Sequence, residues 1–278
     1  MLQLDLLFQA LLLGRDFGFG LEPVFVRLSL RTAAALPNLI RAVADSHRAM
    51  RIDGITRESF AIFERQTGQQ YRFILPVPCL RPRDQERCLD TLTTEIAGAS
   101  FLVASGSLPR GVPADFYSRV RELAQRHGLR FVLDTSGPAL AGGGIGHFLI
   151  KTSLRELEEL AGRELKTEIE EEQAARAMIA EGRAEILVLS LGARGALLAT
   201  AGETRRFPAI PITAAAGSVG AGDSMVAGIV LSLARGWTLI EAVKFGIAAG
   251  AGALLRPGTE LCPRDDTERL YATVLGQN

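Results

Sequence analysis

Short apolar runs alternate with longer helical segments in the second half of this chain. Four of these runs have the composition of buried strands, and they cover residues 101–104, 131–133, 148–150 and 186–189. Segments with helical periodicity separate them, and such alternation is typical of a parallel sheet wrapped by helices. The pattern therefore predicts an α/β fold from about residue 84 onward.

Local signals set the ends of two helices in this region. One helix follows Pro113 and should end at Gly128, with His127 in the C-cap position. Thr167 and Glu170 have the spacing of a capping box, which predicts that a second helix begins there. The acidic run at 170–172 is then expected to form a first helical turn that faces solvent.

The first 76 residues give weaker patterns. Residues 1–14 are leucine-rich but interrupted by Asp5 and too short to span a bilayer, so they predict a buried strand or an amphipathic helix. They also lack the basic start of a secretory signal. Residues 36–46 favour a short helix, and residues 56–73 favour a β-hairpin with its turn at 66–68.

Composition narrows the classes of function. The chain has 278 residues with 31 basic and 31 acidic side chains, so its balance indicates neither a nucleic-acid nor a membrane-surface partner. Its three cysteines are far apart and odd in number, as expected of reduced thiols in a cytoplasmic protein. The three histidines are also widely spaced, which disfavours a metal site or a catalytic triad.

Gly220-Ala221-Gly222-Asp223 stands directly before the apolar run at 225–233. Small residues at a helix start let the backbone amides approach an anion, and such amides stabilise the charge that develops in phosphoryl transfer. An adjacent carboxylate could accept the proton of an attacking hydroxyl. The alternative is a tight turn in which Asp223 only caps the helix.

Polar residues follow each of the four predicted strands, and in an open parallel sheet these ends form the ligand site. Lys151 is a candidate for binding a nucleotide phosphate, while Asp134 and Glu156 are candidates for holding Mg²⁺ through water. Gly192 and Gly195 could instead serve a hairpin turn between residues 186–190 and 196–200.

Gly220–Asp223 and the segments at 105–109, 134–137, 190–195, 245–250 and 258–262 resemble the PfkB/ribokinase family of carbohydrate kinases, particularly its 6-phosphofructokinases. The resemblance implies a ribokinase-like three-layer α/β/α sandwich with a mainly parallel sheet and a small β lid. Residues 1–50 would form an atypical amino-terminal part of the core, residues 51–76 the lid hairpin, and residues 77–278 the nucleotide-binding and catalytic core.

The resemblance also implies roles for individual residues. Asp223 would be the catalytic base, with the amides of Gly220, Ala221 and Gly222 as the anion hole, and Arg57 and Ser107 would contact the sugar phosphate. The residues expected on the nucleotide side are Lys151, Ser153, Glu156, Ser190, Gly192, Gly195, Ile247 and Ala251.

Two departures from the family pattern stand out. An Asn-x-x-Glu motif is represented here by Ser153 and Glu156, and the usual sugar-binding Asp and glycine-rich run are not found in residues 1–50. The expected activity is ATP- and Mg²⁺-dependent phosphorylation of fructose 6-phosphate to fructose 1,6-bisphosphate, with K⁺ as a further candidate cofactor and a homodimer formed through the lid. The alternatives are a 1-phosphofructokinase, a tagatose-6-phosphate kinase, or a catalytically impaired nucleotide-binding relative.

Overall fold

A computed structural model describes residues 2–3, 9–14, 25–31, 46–53, 59–63, 70–74, 78–212, 220–255 and 262–275. Three features predicted from the sequence lie outside these residues: the helix at 36–46, the turn at 66–68, and Arg57. Of the predicted helix, the structure describes Ser46 alone, which begins a strand.

The described helices and strands alternate between residues 82 and 190, with one pair of successive helices, as the apolar pattern predicts. Beyond this point the predicted alternation is wrong, because strands follow one another from 184 to 207 and helices from 221 to 275. The strands are β1 (Leu2–Gln3), β2 (Gln9–Gly14), β3 (Phe25–Arg31), β4 (Ser46–Arg51), β5 (Ser59–Phe63), β6 (Gln70–Ile74), β7 (Ala99–Ser105), β8 (Arg130–Asp134), β9 (His147–Ser153), β10 (Ala184–Ser190), β11 (Ala196–Thr200) and β12 (Thr204–Phe207). The helices are α1 (Pro82–Glu95), α2 (Phe116–Arg126), α3 (Pro138–Ala141), α4 (Leu154–Ala161), α5 (Glu168–Ala180), α6 (Ala221–Ala234), α7 (Leu239–Leu254) and α8 (Arg264–Leu275).

Nine strands form the main sheet, in the order β12-β11-β10-β9-β8-β7-β2-β3-β4. Strands β7 to β10 are parallel to one another, and they are the four strands predicted from the apolar runs. Antiparallel pairs extend the sheet on both sides of this parallel centre. Of the two alternatives predicted for the leucine-rich residues 1–14, the described part forms strands, namely β1 and β2.

Helices cover both faces of this sheet. Successive side chains of a strand point to opposite faces, and β7 shows the consequence. Leu102 and Ala104 belong to one apolar core with residues of α1, α2 and α5. Phe101 and Val103 belong to a second core with residues of α6 and α7. The three-layer α/β/α arrangement is therefore confirmed.

The predicted hairpin is confirmed as strands β5 and β6, which pair antiparallel in a separate three-stranded sheet with β1. Asp53 follows β4 and Arg81 precedes α1, so they mark where the chain leaves and rejoins the core around this hairpin. The Arg81 guanidinium forms an ion pair with the Asp53 carboxylate, and its Nε also donates to the buried Asp84 at 3.0 Å. The ion pair thus joins the two chain segments that connect the hairpin to the core.

The helix ends agree with the local signals, with one correction. His127 is the C-cap of α2, and Thr167 and Glu170 form a reciprocal capping box at the start of α5. The acidic run was expected to face solvent, but Glu171 is only 1% exposed. Its carboxylate accepts hydrogen bonds from Arg194 at 2.6 Å and Arg206 at 2.9 Å. A periodic pattern does not reveal two arginines that arrive from distant parts of the chain.

Acid stability should depend on His147, which is fully buried at the start of β9 beside the ring of Phe131. Burial lowers the pKa of His147 from 6.5 to about 4, and the charges of Arg121 and Arg183 act in the same direction. The unfolded chain therefore binds a proton that the folded chain does not, between these two values. Stability should be lost as the pH falls from 6.5 towards 4.

We expect His147→Phe to remove this component of the pH dependence. Urea unfolding at several pH values would measure the difference in slope, which should approach about 1.4 kcal/mol per pH unit between wild type and variant within this window. Parallel curves for the two proteins would contradict the assignment.

Candidate active site

The carboxyl ends of the parallel strands bring several predicted residues together. Ser105 at the end of β7 pairs in register with Asp134 at the end of β8, and Asp134 pairs with Lys151 of β9. Ser153 at the end of β9 pairs with Ser190 at the end of β10. These residues form one polar edge of the sheet, because parallel strands all end on the same side. This is where an open α/β sheet binds its ligands.

Helix α6 brings Asp223 to the same edge. The helix begins at Ala221 after Gly220 as N-cap, and Asp223 is an exposed residue of its first turn. The Oγ of Ser105 donates a hydrogen bond to Oδ1 of Asp223 at 3.0 Å. The alternative in which Asp223 caps the helix is wrong, because Gly220 is the N-cap residue and no side chain caps this end.

Lys151 lies within β9 rather than after it, so the neighbouring strands fix its backbone. Its side chain is buried, and its Nζ lies 3.2 Å from Oδ1 and 3.4 Å from Oδ2 of Asp134. A Cβ added at Gly222 would stand 2.7 Å from this Nζ. The ammonium group therefore lies against the first turn of α6, where a bound anion would meet both the helix amides and a positive charge.

Charges around this ion pair influence one another. Burial raises the pKa of Asp134 to about 6, although the Lys151 ammonium opposes the rise, while Asp223 and Glu156 add to it. Burial alone would lower the pKa of Lys151, but Asp134 and then Glu156 hold it above its usual value. Each charge of the pair therefore stabilises the ionised form of the other, against the effect of burial.

The structure assigns further contacts to the two acids predicted to hold Mg²⁺. Both oxygens of Asp134 face Lys151, and Oε2 of Glu156 accepts hydrogen bonds from the Ser153 amide at 2.7 Å and the Thr152 hydroxyl at 3.3 Å. Ser153 and Glu156 form a capping box for α4. Within the described residues, no cluster of three or more His, Cys, Asp or Glu side chains could hold a metal ion by itself.

The predicted nucleotide loop is also a hairpin connection. A single 3₁₀ turn at Gly192–Arg194 joins the antiparallel strands β10 and β11, which confirms the structural role proposed for Gly192 and Gly195. Ser190 donates to the carbonyl of Thr152 at 3.3 Å and so stays at the polar edge.

Three candidates of the predicted site remain. Ile247 and Ala251 lie on α7 and are each 8% exposed, in two different apolar clusters. Ser107 is half-buried two residues beyond the end of β7.

The sequence does not predict the hydrogen bonds that hold the backbone of Gly106 at this polar edge. The carbonyl of Gly106 accepts hydrogen bonds from the Tyr117 hydroxyl at 2.7 Å and the Thr135 hydroxyl at 2.8 Å, and its amide donates to the Asp134 carbonyl at 2.9 Å. Tyr117 lies in the first turn of α2, and no local sequence signal connects it to the site. Only the packing of α2 against the sheet could have revealed it.

Comparison with known proteins establishes the family. Residues 42–266 match the model of the pfkB family carbohydrate kinases, so the chain belongs to this family. The ATP-dependent 6-phosphofructokinase isozyme 2 of Mycobacterium tuberculosis is 50% identical over 240 residues, which cover 86% of this chain and 70% of the relative. The isozyme 2 of Escherichia coli is 38% identical over 219 residues, covering 78% and 70% respectively.

Solved structures agree with this assignment. Phosphofructokinase-2 from Escherichia coli in complex with potassium has a TM-score of 0.83 at 29% identity and covers 97% of both chains. The predicted family, the ribokinase-like α/β fold and the class of ATP-dependent sugar-phosphate kinase are therefore confirmed. In the described part of the chain, every helix is too short or too polar to cross a membrane.

The close approach of Lys151 to Gly222 gives a test of the anion hole. In Gly222→Ala the new methyl group would displace the ammonium, so we expect the KM for ATP to rise roughly 10-fold or more, the order of one lost charge-assisted hydrogen bond. Alanine favours helix over glycine, which should offset part of the stability that is lost as the ammonium moves away from Asp134.

Steady-state kinetics and melting temperatures would measure both effects. Gly202→Ala is the matched control, because a Cβ at Gly202 meets nothing within 4 Å. An unchanged KM in Gly222→Ala would contradict the proposed geometry.

Proposed function

We propose that this chain transfers the γ-phosphoryl group of ATP to O1 of fructose 6-phosphate, giving fructose 1,6-bisphosphate and ADP. The observation that carries the proposal is the placement of Asp223 beside the amino terminus of α6, with the Lys151 ammonium against the same turn. A carboxylate that can act as a base thus lies next to backbone amides and an ammonium group that can bind an anion. The names of the two 6-phosphofructokinase relatives support fructose 6-phosphate as the acceptor.

The residues have separate tasks in this reaction. Asp223 accepts the proton of the O1 hydroxyl as its oxygen attacks the γ-phosphorus, and the bond from that phosphorus to the β,γ-bridging oxygen of ATP breaks. The leaving electron pair stays on the β-phosphate of ADP. The amides of Gly220, Ala221 and Gly222, together with Lys151, stabilise the charge that spreads over the transferred phosphoryl oxygens.

The carboxylates of Glu156 and Asp134 are suited to a magnesium ion whose other ligands are mainly phosphate oxygens of the nucleotide and water. Mg²⁺ in kinases takes one or two carboxylates, several waters and the substrate phosphates. Glu156 would hold it from the start of α4, while Asp134, which faces Lys151, would act chiefly through that lysine. The bound ion would neutralise charge on the phosphates of ATP.

The other contacts of the proposed site follow from the family. Arg57 and Ser107 would bind the phosphate of the sugar, with Ser153, Ser190, Gly192 and Gly195 along the phosphates and Ile247 and Ala251 near the adenine. Residues 51–76 would cover the acceptor as a lid. K⁺ is a further candidate activator, and one similar structure was solved in complex with potassium.

A second acceptor has a specific observation in its favour. The 1-phosphofructokinase of Rhodobacter capsulatus is 33% identical over 251 residues and matches 89% of this chain. Its name supports fructose 1-phosphate as the alternative acceptor, and tagatose 6-phosphate is chemically close. A nucleotide-binding relative without turnover is the remaining alternative, because the family model matches only from residue 42.

The decisive experiment measures ADP release with Mg²⁺-ATP and fructose 6-phosphate, fructose 1-phosphate, tagatose 6-phosphate or no sugar. We expect release to depend on fructose 6-phosphate and to fall by roughly 10²- to 10⁴-fold in Asp223→Asn, the usual size of a general-base contribution.

Asp265→Asn is the matched control, because Asp265 also lies in an exposed first helical turn but belongs to α8. Release with another sugar would reassign the acceptor. No release with any sugar, while ATP still raises the melting temperature, would leave the nucleotide-binding relative.

We further propose that two copies associate through the lid. Tyr71 and Phe73 lie two residues apart on β6, hence on one face of the hairpin, and each is 46% exposed. Large exposed apolar side chains that share a face are typical of contact surfaces. The cytoplasm is the compartment proposed for the assembly, in agreement with the widely spaced free cysteines.

Sedimentation velocity would test the dimer. We expect a dimer for the wild type and a shift towards monomer in Phe73→Arg, since a buried charge without a partner weakens an interface. Ile169→Arg is the control, because Ile169 is 68% exposed at the start of α5. A monomeric wild type, or equal dissociation in both variants, would exclude association through this face.

A further inference from the structure

No family motif in this sequence assigns Ser105 to catalysis. It stands at the last position of β7, where its backbone pairs with Asp134 of β8, and its hydroxyl donates to Oδ1 of Asp223 at 3.0 Å. Strand β7 and helix α6 meet here from distant parts of the chain. Among the described contacts of the Asp223 carboxylate, this hydrogen bond is the one made by another side chain.

The backbone next to Ser105 is unusually well fixed. Gly106 has a φ of 107°, a region that side-chain-bearing residues rarely adopt. Its carbonyl receives hydrogen bonds from Tyr117 and Thr135, and its amide donates to the Asp134 carbonyl. Burial raises the pKa of Tyr117 well above its usual value, so this phenol remains a donor at every pH of interest. The hydroxyl of Ser105 therefore extends from a rigid turn.

We infer that Ser105 is a positioning residue for the catalytic base, an inference that rests on the proposed function of Asp223. By donating to Oδ1, Ser105 selects one rotamer of the carboxylate and leaves Oδ2 to accept the proton of the acceptor hydroxyl. Tyr117 and Thr135 act one step further away, since they fix the turn from which Ser105 donates. A base held in this way needs no reorientation when the acceptor arrives.

Replacement of the hydroxyl should slow chemistry without weakening binding. We expect Ser105→Ala to lower the rate of phosphoryl transfer, measured by rapid quench in a single turnover, by roughly 10- to 100-fold, the range expected when a reacting group is misplaced by about 1 Å. The KM values for ATP and for the sugar should change by less than about threefold, since Ser105 acts in the transition state. Ser105→Thr retains a donor on a β-strand and should recover most of the rate.

The matched control is Ser232→Ala on α6. Ser232 lies on the helix that carries Asp223, and its buried hydroxyl donates a hydrogen bond to the Gly228 carbonyl one turn earlier. It should leave the single-turnover rate unchanged. A rate for Ser105→Ala within threefold of wild type, equal rates for the Ala and Thr variants, or a rise in both KM values with a fall in melting temperature would each overturn the positioning role.

The wild-type and Asp223→Asn assays test the proposed function separately. If no sugar is phosphorylated, the ¹³C resonance of the Asp223 carboxyl still tests the contact, with assignment from Asp223→Asn. That resonance should move in Ser105→Ala and remain in place in Ser232→Ala. A resonance that does not respond to Ser105→Ala would overturn the inference whatever the acceptor.

Discussion

The ion pair between Lys151 and Asp134 is the interaction on which the site depends. Two adjacent parallel strands place these side chains opposite each other, and burial makes each charge unfavourable without the other. Because the ammonium also lies against Gly222, the pair links the centre of the sheet to the first turn of α6. The helix amides, the cation and Asp223 thus keep a fixed relation before any ligand is bound, and phosphoryl transfer depends mostly on such positioning.

Much of the fold and part of the site could be predicted from sequence. The four parallel strands are continuous apolar runs, as expected of strands buried on both faces, and the capping box at Thr167 marks a helix start with four local residues. Gly220–Asp223 was placed correctly at the start of a helix because small residues before an apolar run are a local signal. All of these features are determined by residues that are neighbours in the chain.

The rest depends on contacts between distant residues. Glu171 resembles a solvated member of an acidic run, and only the positions of Arg194 and Arg206 show why it is buried. The sequence predicts Asp134 as a magnesium ligand, and its register with Lys151 adds a cationic partner that no local pattern reveals. The Ser153 to Glu156 spacing is a variant of the Asn-x-x-Glu motif of the family, and it also satisfies the amides at the start of α4. The capping box explains this spacing by local structure, so the spacing alone does not establish a role in binding magnesium.

The ion pair of Asp53 and Arg81 has a consequence for how the β5–β6 hairpin can vary in length. The chain leaves the core after Asp53 and rejoins it at Arg81, and these two points are in contact. The entropy of closing such a loop grows only with the logarithm of its length. Insertions or deletions between the two points would therefore change the free energy of unfolding of the core very little. The hairpin of β5 and β6 can therefore change in length while the strands that carry Lys151 and Ser105 keep their register.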